Sequence, residues 1–404
     1  MSEFKNLPSG WKVVRLGEIC EINPSSRKLP EKFYYIDLES VEKGILHSLK
    51  EVFLETAPSR AQRLLEKGDI LFQMVRPYQK NNFLFELNGD FVASTGYAQI
   101  RTKQNRDFIF QYLNFDTFTK KVIEKCTGSN YPAINASVFS NLKILLPPLD
   151  EQEKIAEILS TWDEAINLTI NLIESKKQFK KALMQNLLTA KIRFPEFQDE
   201  WREVTIGELF EVKKGQGLSK EMLDTNGKFE CVLYGELYTT YDEIIENVKS
   251  RTNFQGSIKS KFDDILIPSS TTTGSIDIAI ASVILKNDVL LGGDINILRK
   301  KRNNIYGKFV AYCITNIKNK ELSSYAQGTT IIHLYAKDFK GMKIKLPNLQ
   351  EQQKIAEVLT ACDDEINLLN LKLENLKKQK QGLMQKLLSG KVRVKGGKNV
   401  KMGN

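Results

Sequence analysis

The sequence predicts an α+β chain in which two homologous mixed α/β domains are separated by two long helices packed as an antiparallel coiled coil, a pseudo-twofold internal repeat. Three observations lead there. One block of sequence occurs twice at a fixed offset, that block carries a heptad stripe, and the stretches between the copies read as short strands and helices.

The block LPPLDEQEKIAEILSTWDEAINL begins at Leu146 and returns as LPNLQEQQKIAEVLTACDDEINL at Leu346, 200 residues later. At the same offset LMQNLLTAKIRF, from Leu183, returns as LMQKLLSGKVRV, from Leu383, and Gly128-Ser129 returns as Gly328-Thr329. Each half also opens alike: Trp11 in GWKVVRLGEIC matches Trp201 in EWREVTIGELF, at an offset of 190. Two homologous halves are the simplest cause. Between these landmarks the halves diverge, leaving echoes such as Gly68-Asp69-Ile70-Leu71 beside Asp263-Asp264-Ile265-Leu266. A kept scaffold with changed surfaces is what two copies set to different targets would show. Drift alone would have eroded the helical blocks as well.

The repeated block reads as a long helix. Pro147 and Pro148 stop a preceding strand, Asp150 and Glu151 put negative charge in the first turn, and Gly390 stands where a left-handed C-terminal residue is wanted. Its register is a heptad. The second copy runs Ile355, Leu359, Cys362, Ile366, Leu369, Leu373, Leu376, Lys380, Leu383 and Leu387, apolar at all but Lys380. The first runs Ile155, Leu159, Trp162, Ile166, Thr169, Ile173, Lys176, Lys180, Leu183 and Leu187, apolar at seven of ten. A stripe of about 40 residues, ~60 Å long, needs another long helix to cover it. Each copy is the natural partner of the other, because one chain supplies both and loop closure costs less than recruiting a second molecule. A coiled coil that only dimerises the chain is the alternative.

These landmarks divide the chain into domain 1 (1–145), a central helix (146–195), domain 2 (196–345), a C-terminal helix (346–390) and a flexible basic tail (391–404). Within the domains, Lys67 to Phe72, Phe91 to Arg101, Asp264 to Pro268 and Ile276 to Leu285 read as strands, and Phe108 to Val122 and Lys308 to Ile317 as helices.

Charge narrows the partner. Lys and Arg number 59 against 49 Asp and Glu, a formal charge of +10, which favours a polyanion and nucleic acid first, with an acidic membrane surface behind it. No run approaches the ~20 apolar residues of a membrane span, and the amino terminus has no signal-peptide run. Cys20, Cys126, Cys231, Cys313 and Cys362 are odd in number and dispersed, against a disulfide framework and consistent with a reducing cytoplasm. Only His47 and His333 could offer imidazole, which argues against a metal site or an imidazole-dependent catalyst.

No Gly-x-x-x-x-Gly-Lys-Ser/Thr phosphate loop occurs, Asn23-Pro24-Ser25-Ser26 reads as a turn, and Asp263-Asp264 reads as a strand-initiating turn rather than a nuclease site. What remains is binding chemistry. In FQMVRPYQKNN, Gln73, Arg76, Tyr78, Lys80 and Asn81 combine a guanidinium, amides and an aromatic suited to bases and phosphates. The corresponding PSSTTTGS offers the hydroxyls of Ser269, Ser270, Thr271, Thr272 and Thr273. A second loop, Ser129, Asn130 and Tyr131 after Gly128, with Thr329 and Thr330 after Gly328, is expected to face the same ligand. Lys176, Lys177, Lys180 and Lys181 lie on the helix, where such a cluster is ordinarily a solvated face.

The doubled Leu-Pro-Pro-Leu-x-Glu-Gln-x-x-Ile-Ala motif, at Leu146 to Ala156 and Leu346 to Ala356, with the Gly-Ser/Thr loop upstream of each, resembles the specificity (S) subunit of type I restriction-modification systems. The resemblance covers nearly the whole chain. It implies two target recognition domains at the ends of the helix pair, each reading one half of a split double-stranded DNA sequence. It also implies two methyltransferase (M) subunits and two motor-nuclease (R) subunits as partners, in the cytoplasm and off the membrane. No cofactor is expected on this chain; S-adenosylmethionine, ATP and Mg are expected on the partner subunits. Asn348 for the second proline, Gln350 for Asp150 and Cys362 for Trp162 make the helices chemically unequal. The expected function is a noncatalytic reader and scaffold; the alternative is an enzyme with fused specificity and methyltransferase or nuclease activity.

Overall fold

A computed structural model describes residues 7–25 and 28–394. They form two compact units: one joins the chain up to Ile170 to the chain from Leu371, and the other is Asn171–Asn370.

In the first unit Lys12–Arg15 pairs antiparallel with Lys143–Leu146, so the opening of the half lies beside the strand that feeds the first long helix, Leu149–Leu187. The second unit repeats the ribbon, with Arg202–Thr205 on Lys343–Leu346 ahead of the second long helix, Leu349–Leu387. The two conserved ends of each half are therefore neighbours in space, and the divergent sequence is the domain between them.

The first domain carries two four-stranded sheets. One runs Cys20–Ile22, Tyr97–Thr102, Ile70–Gln73, Phe83–Leu84; the other runs Lys50–Phe53, Lys32–Ile36, Phe91–Ser94, Ala61–Leu64. The second domain has a five-stranded sheet, Phe210–Lys214, Ile295–Lys300, Asp264–Pro268, Ser282–Ile284, Ile244–Ile245, and a three-stranded one, Ser250–Thr252, Phe229–Val232, Leu290–Leu291. Each core extends onto both long helices: Ile155, Leu159, Met384, Leu387 and Leu388 join the main core of the first unit, and Leu187, Leu188, Ile355 and Leu359 that of the second.

Several elements differ from the sequence expectation. The run Phe91 to Arg101 breaks at Thr95-Gly96 because its two parts, Phe91–Ser94 and Tyr97–Thr102, belong to different sheets. The helix expected over Phe108 to Val122 is two, Arg106–Leu113 and Asp116–Ile123; the break at Asn114 lets its backbone carbonyl accept from Lys80 and its side-chain oxygen accept from Asn82. Of Ile276 to Leu285, only Ser282–Ile284 is strand, because hydrogen-bonded turns at Gly274–Asp277 and Ile276–Ala279 occupy the start.

Seam positions of both helices are buried or half-buried throughout, Trp162 and Cys362 among the half-buried ones. The lysines that interrupt the stripe are paired. In the second unit Lys180 bonds Asp363 at 2.5 Å and Lys176 bonds Glu365 at 2.7 Å; in the first, Lys380 bonds Asp163 at 2.6 Å. Lys177 bonds Glu174 on its own helix. The expectation of a solvated lysine face holds for exposed Lys177 and Lys181 and is corrected for Lys176 and Lys180, since a cation in a seam sheds water and needs a carboxylate beside it.

The left-handed residue expected at Gly390 is found, with φ 71°, and Ala190 takes the same conformation in the first copy at φ 58°. Of the expected flexible tail, residues 395–404 lie outside the described residues. Arg393 and Val394 are docked, the former on Glu151 and the latter against the first core. Among the described residues no helix is long and apolar enough to cross a membrane.

Candidate nucleic-acid interface

The Glu-Gln pair of the repeated motif is an anchor. Glu151 accepts from Trp11 Nε1 at 3.0 Å and from Arg393 at 2.8 Å; Glu351 accepts from Trp201 Nε1 at 3.1 Å and from Arg193 at 2.8 and 2.9 Å. Gln152 and Gln352, both buried, donate to the carbonyls of Pro147 and Pro347 and accept from the backbone of Asn105 and Tyr306, fixing each domain on its helix. Burial alone would raise the Glu151 carboxyl, but the bonds from Arg393 and Trp11 and the Arg393 charge hold it below the usual carboxylate range. Asn348, which replaces a proline, accepts from the Glu351 N–H and so caps its helix.

Asp69 and Asp264 are a second matched pair. Each accepts from the backbone three residues upstream and takes a forked bond from an arginine, Arg101 or Arg299. Asp263, at φ 72°, takes the left-handed position that Gly68 holds at φ 94°, and bonds Gly307 and Lys300. These acids organise a strand-initiating turn, as their sequence context indicates. Asn23, in the expected turn, has φ 54° and exchanges bonds with the Gln99 backbone; Ser26 lies outside the described residues.

In the first unit the two predicted loops lie side by side. Arg76 N–H donates to the Pro132 carbonyl at 2.7 Å and Ile134 N–H to the Met74 carbonyl at 3.1 Å, while Gly128, at φ 91°, turns the second loop. Three of the five residues expected to read bases from the first loop are occupied by the protein. Gln73, 2% exposed, donates to Gln79 Oε1 at 2.8 Å and accepts from Asn81 N–H. Asn81 accepts from Lys43 N–H at 3.0 Å. Lys80 donates to the Asn114 carbonyl and pairs with Asp116, whose carboxyl, raised by burial, is brought below its ordinary range by Lys80 and Gln381.

What remains outward is Arg76, Tyr78, Gln79, Ser129, Asn130 and Tyr131. The Arg76 guanidinium lies on the Tyr131 ring, 4.1 Å from its centroid, and Tyr131 is 64% exposed. Arg76, Gln79 and Tyr131 line an open cavity of about 610 Å³ together with Arg60, Glu39 and Lys43. Arg60 was missed by sequence reasoning, since it lies 16 residues before Arg76 in a stretch with no motif.

The second unit repeats the arrangement with other side chains. Ser270–Thr271 pairs with Ile332–His333, and Leu334 N–H donates to the Ser269 carbonyl, as Ile134 does to Met74. Ser269, Ser270 and Thr271 are buried, and Thr271 shares a hydrogen bond with Thr273 at 2.9 Å. Burial of this segment withdraws the Ser269, Ser270 and Thr271 hydroxyls from solvent, which corrects their reading as an open donor set. Thr272, Thr273, Thr329 and Thr330 remain exposed. Beside them stand exposed Ile331 and a stack the sequence did not announce: His333 on Tyr335 at 5.7 Å, with Lys337 over the same ring.

Two different sets of exposed groups thus occupy one fold position. The family described as the type I restriction modification DNA specificity domain matches residues 8–175 and 198–378, one match on each half. The chain belongs to that family. It is a DNA specificity subunit with two recognition domains, and not itself the methyltransferase or nuclease. It is similar to the putative type I restriction enzyme MjaX specificity subunit of Methanocaldococcus jannaschii, 27% identical over 98% of this chain and 96% of that one. The MjaVIII specificity subunit of the same organism is 24% identical over 96% and 94%. Among solved structures, a chain from a study of complex assembly and conformational transition in the type I R-M system aligns with TM-score 0.61 and 25% identity, covering 96% of this chain and all of that one. The HsdS subunit from Thermoanaerobacter tengcongensis aligns with TM-score 0.50 and 25% identity, covering 97% of this chain and 100% of its own.

Proposed function

We propose that each unit reads one half of a bipartite sequence in double-stranded DNA, and that the two helices pack as an antiparallel coiled coil about a pseudo-twofold, setting the spacer between the half-sites. The observation that carries this reading is the shared fold position with unlike contents: Arg76 on Tyr131 in one unit, threonine hydroxyls and the His333–Tyr335 stack in the other. Equal frames with unequal side chains suit two different base sets.

The helix ruler is supported by the ion pairs within each unit. In the second, Lys180 to Asp363 and Lys176 to Glu365 ascend one helix as they descend the other. Lys380 to Asp163 in the first joins the positions equivalent to Lys180 and Asp363 at the 200-residue offset. The helices also leave Leu168, Leu172, Phe179, Leu368 and Leu371 exposed, apolar surface of the kind a docked subunit covers. We assign it to two methyltransferase subunits, with two motor-nuclease subunits completing the restriction complex in the cytoplasm. S-adenosylmethionine, ATP and Mg serve those partners.

Mapping methylated bases in a genome that carries this chain with its methyltransferase tests the reading. Two short specified sequences separated by a fixed unspecified run are expected. A single uninterrupted target would contradict it.

A further inference from the structure

We infer that Arg76, held on the Tyr131 ring, reads a guanine in the half-site of the first unit, and that the second unit has no counterpart. This rests on the proposed reading of DNA by each unit and adds a base identity to it.

Arg76 is fixed at both ends. Its backbone is left-handed, φ 54°, immediately before the turn Pro77–Gln79, and its N–H is tied to the Pro132 carbonyl at 2.7 Å. Its guanidinium lies over the Tyr131 ring, 4.1 Å from the centroid, so the fork rests on a ring that is itself largely exposed. Glu39 and Glu42 line the same cavity, yet among the described residues no carboxylate pairs with Arg76 and none of its side-chain donors is used. An unneutralised cation packed on a ring with free donor edges, facing an open cavity of about 610 Å³, needs an acceptor pair from outside.

Base chemistry narrows that pair. A guanidinium only donates. In the major groove guanine presents two acceptors on one edge, O6 and N7, whereas adenine offers one acceptor beside a donor, cytosine a donor, and thymine a single acceptor beside a methyl group. Two parallel N–H bonds are made to guanine alone. The equivalent place in the second unit is Thr271, buried in a strand and bonded to Thr273, so that unit reads its bases with other groups.

Tyr131 is then a positioning residue. The phenyl ring of a Tyr131→Phe variant keeps the platform and Tyr131→Ala removes it. Arg76→Lys keeps the charge and loses the fork.

The test uses the complete chain assembled with its methyltransferase, after its target has been mapped, on synthetic duplexes in which each target guanine is replaced in turn by 7-deazaguanine, which lacks N7. For the parent complex one guanine in one half-site shows a loss of at least about fivefold in binding, within the range of one specific base contact. That loss is absent for Arg76→Ala, whose preference at this position is relaxed. Arg76→Lys and Tyr131→Ala relax it too, Tyr131→Phe retains it, and preference at the other half-site, measured on the same molecules, stays at the parent level as the sign of an intact fold.

The inference is overturned if the parent tolerates 7-deazaguanine everywhere, or if Arg76→Ala shows the same loss as the parent. A uniform fall across all sequences with a weaker salt dependence would also overturn it, making Arg76 a phosphate contact. A parent complex with no sequence preference would instead contradict the proposed function itself.

Discussion

Glu151 and Glu351 each hold a tryptophan and an arginine from separate parts of the chain. Trp201 and Arg193 reach Glu351 from 150 and 158 residues before it, whereas Glu151 takes Trp11 from 140 residues before it and Arg393 from 242 after it. Either carboxylate ties a domain opening to the end of a helix. Glu351→Gln, which keeps one acceptor for Trp201 but loses the charge against Arg193, is expected to destabilise the second unit by about 2 kcal/mol in denaturant unfolding. Glu151 adds a pH signature. Its folded value is depressed, so its contribution is complete above the unfolded value, ~4.3, and is lost as pH falls through the folded one. The difference in thermal unfolding between the parent and Glu151→Gln should therefore hold from about pH 7 to about pH 5 and close as pH falls further. A gap independent of pH would show that the carboxylate acts by shape alone. The tryptophans and arginines are legible in the sequence as repeated letters; their shared partner is not, because nothing local joins residues so far apart.

Along the helices, the stripe and the lysines that interrupt it are readable in the sequence, and the partners of those lysines are not. Lys180 and Lys380 break a heptad, and only the structure shows Asp363 and Asp163 beside them. Asp363 also accepts from Tyr312, whose hydroxyl is driven to a higher pKa by burial and by that carboxylate. Asp363→Asn keeps an acceptor for Tyr312 but leaves Lys180 with Glu243 at 3.8 Å as its remaining carboxylate. It is expected to cost about 1–3 kcal/mol in the second unit, and adding Lys180→Leu should return part of it, because an uncompensated half-buried cation is the source of the loss. Additive losses in that double-mutant cycle would show that Lys180 and Asp363 do not stabilise the unit as a pair. On the outer face, Leu168→Asp with Leu368→Asp should leave thermal unfolding near the parent and weaken retention of the methyltransferase subunit in pull-down; unchanged retention would place the docking surface elsewhere. The loops show the opposite balance. Gln73, Lys80 and Asn81 look like base-readers by residue type, yet their partners Gln79, Asp116 and the Lys43 backbone consume them, and residue type alone does not tell an inward amide from an outward one.

For the whole molecule, the doubled block made the architecture legible because an apolar stripe and its caps are written in local sequence, while the recognition surfaces are written in how each domain folds its divergent interior. On the proposed function, the helices measure the distance between two reading heads. Inserting four residues after Ile170 and four after Asn370 lengthens both helices by about one turn, ~6 Å, and keeps each seam near its original face. At ~3.4 Å per base pair that corresponds to one or two base pairs of DNA. Methylation mapping with this variant and its methyltransferase is the direct measurement: the same two half-sites separated by a spacer longer by one or two base pairs is the predicted result, and an unaltered spacer at full activity would contradict the ruler.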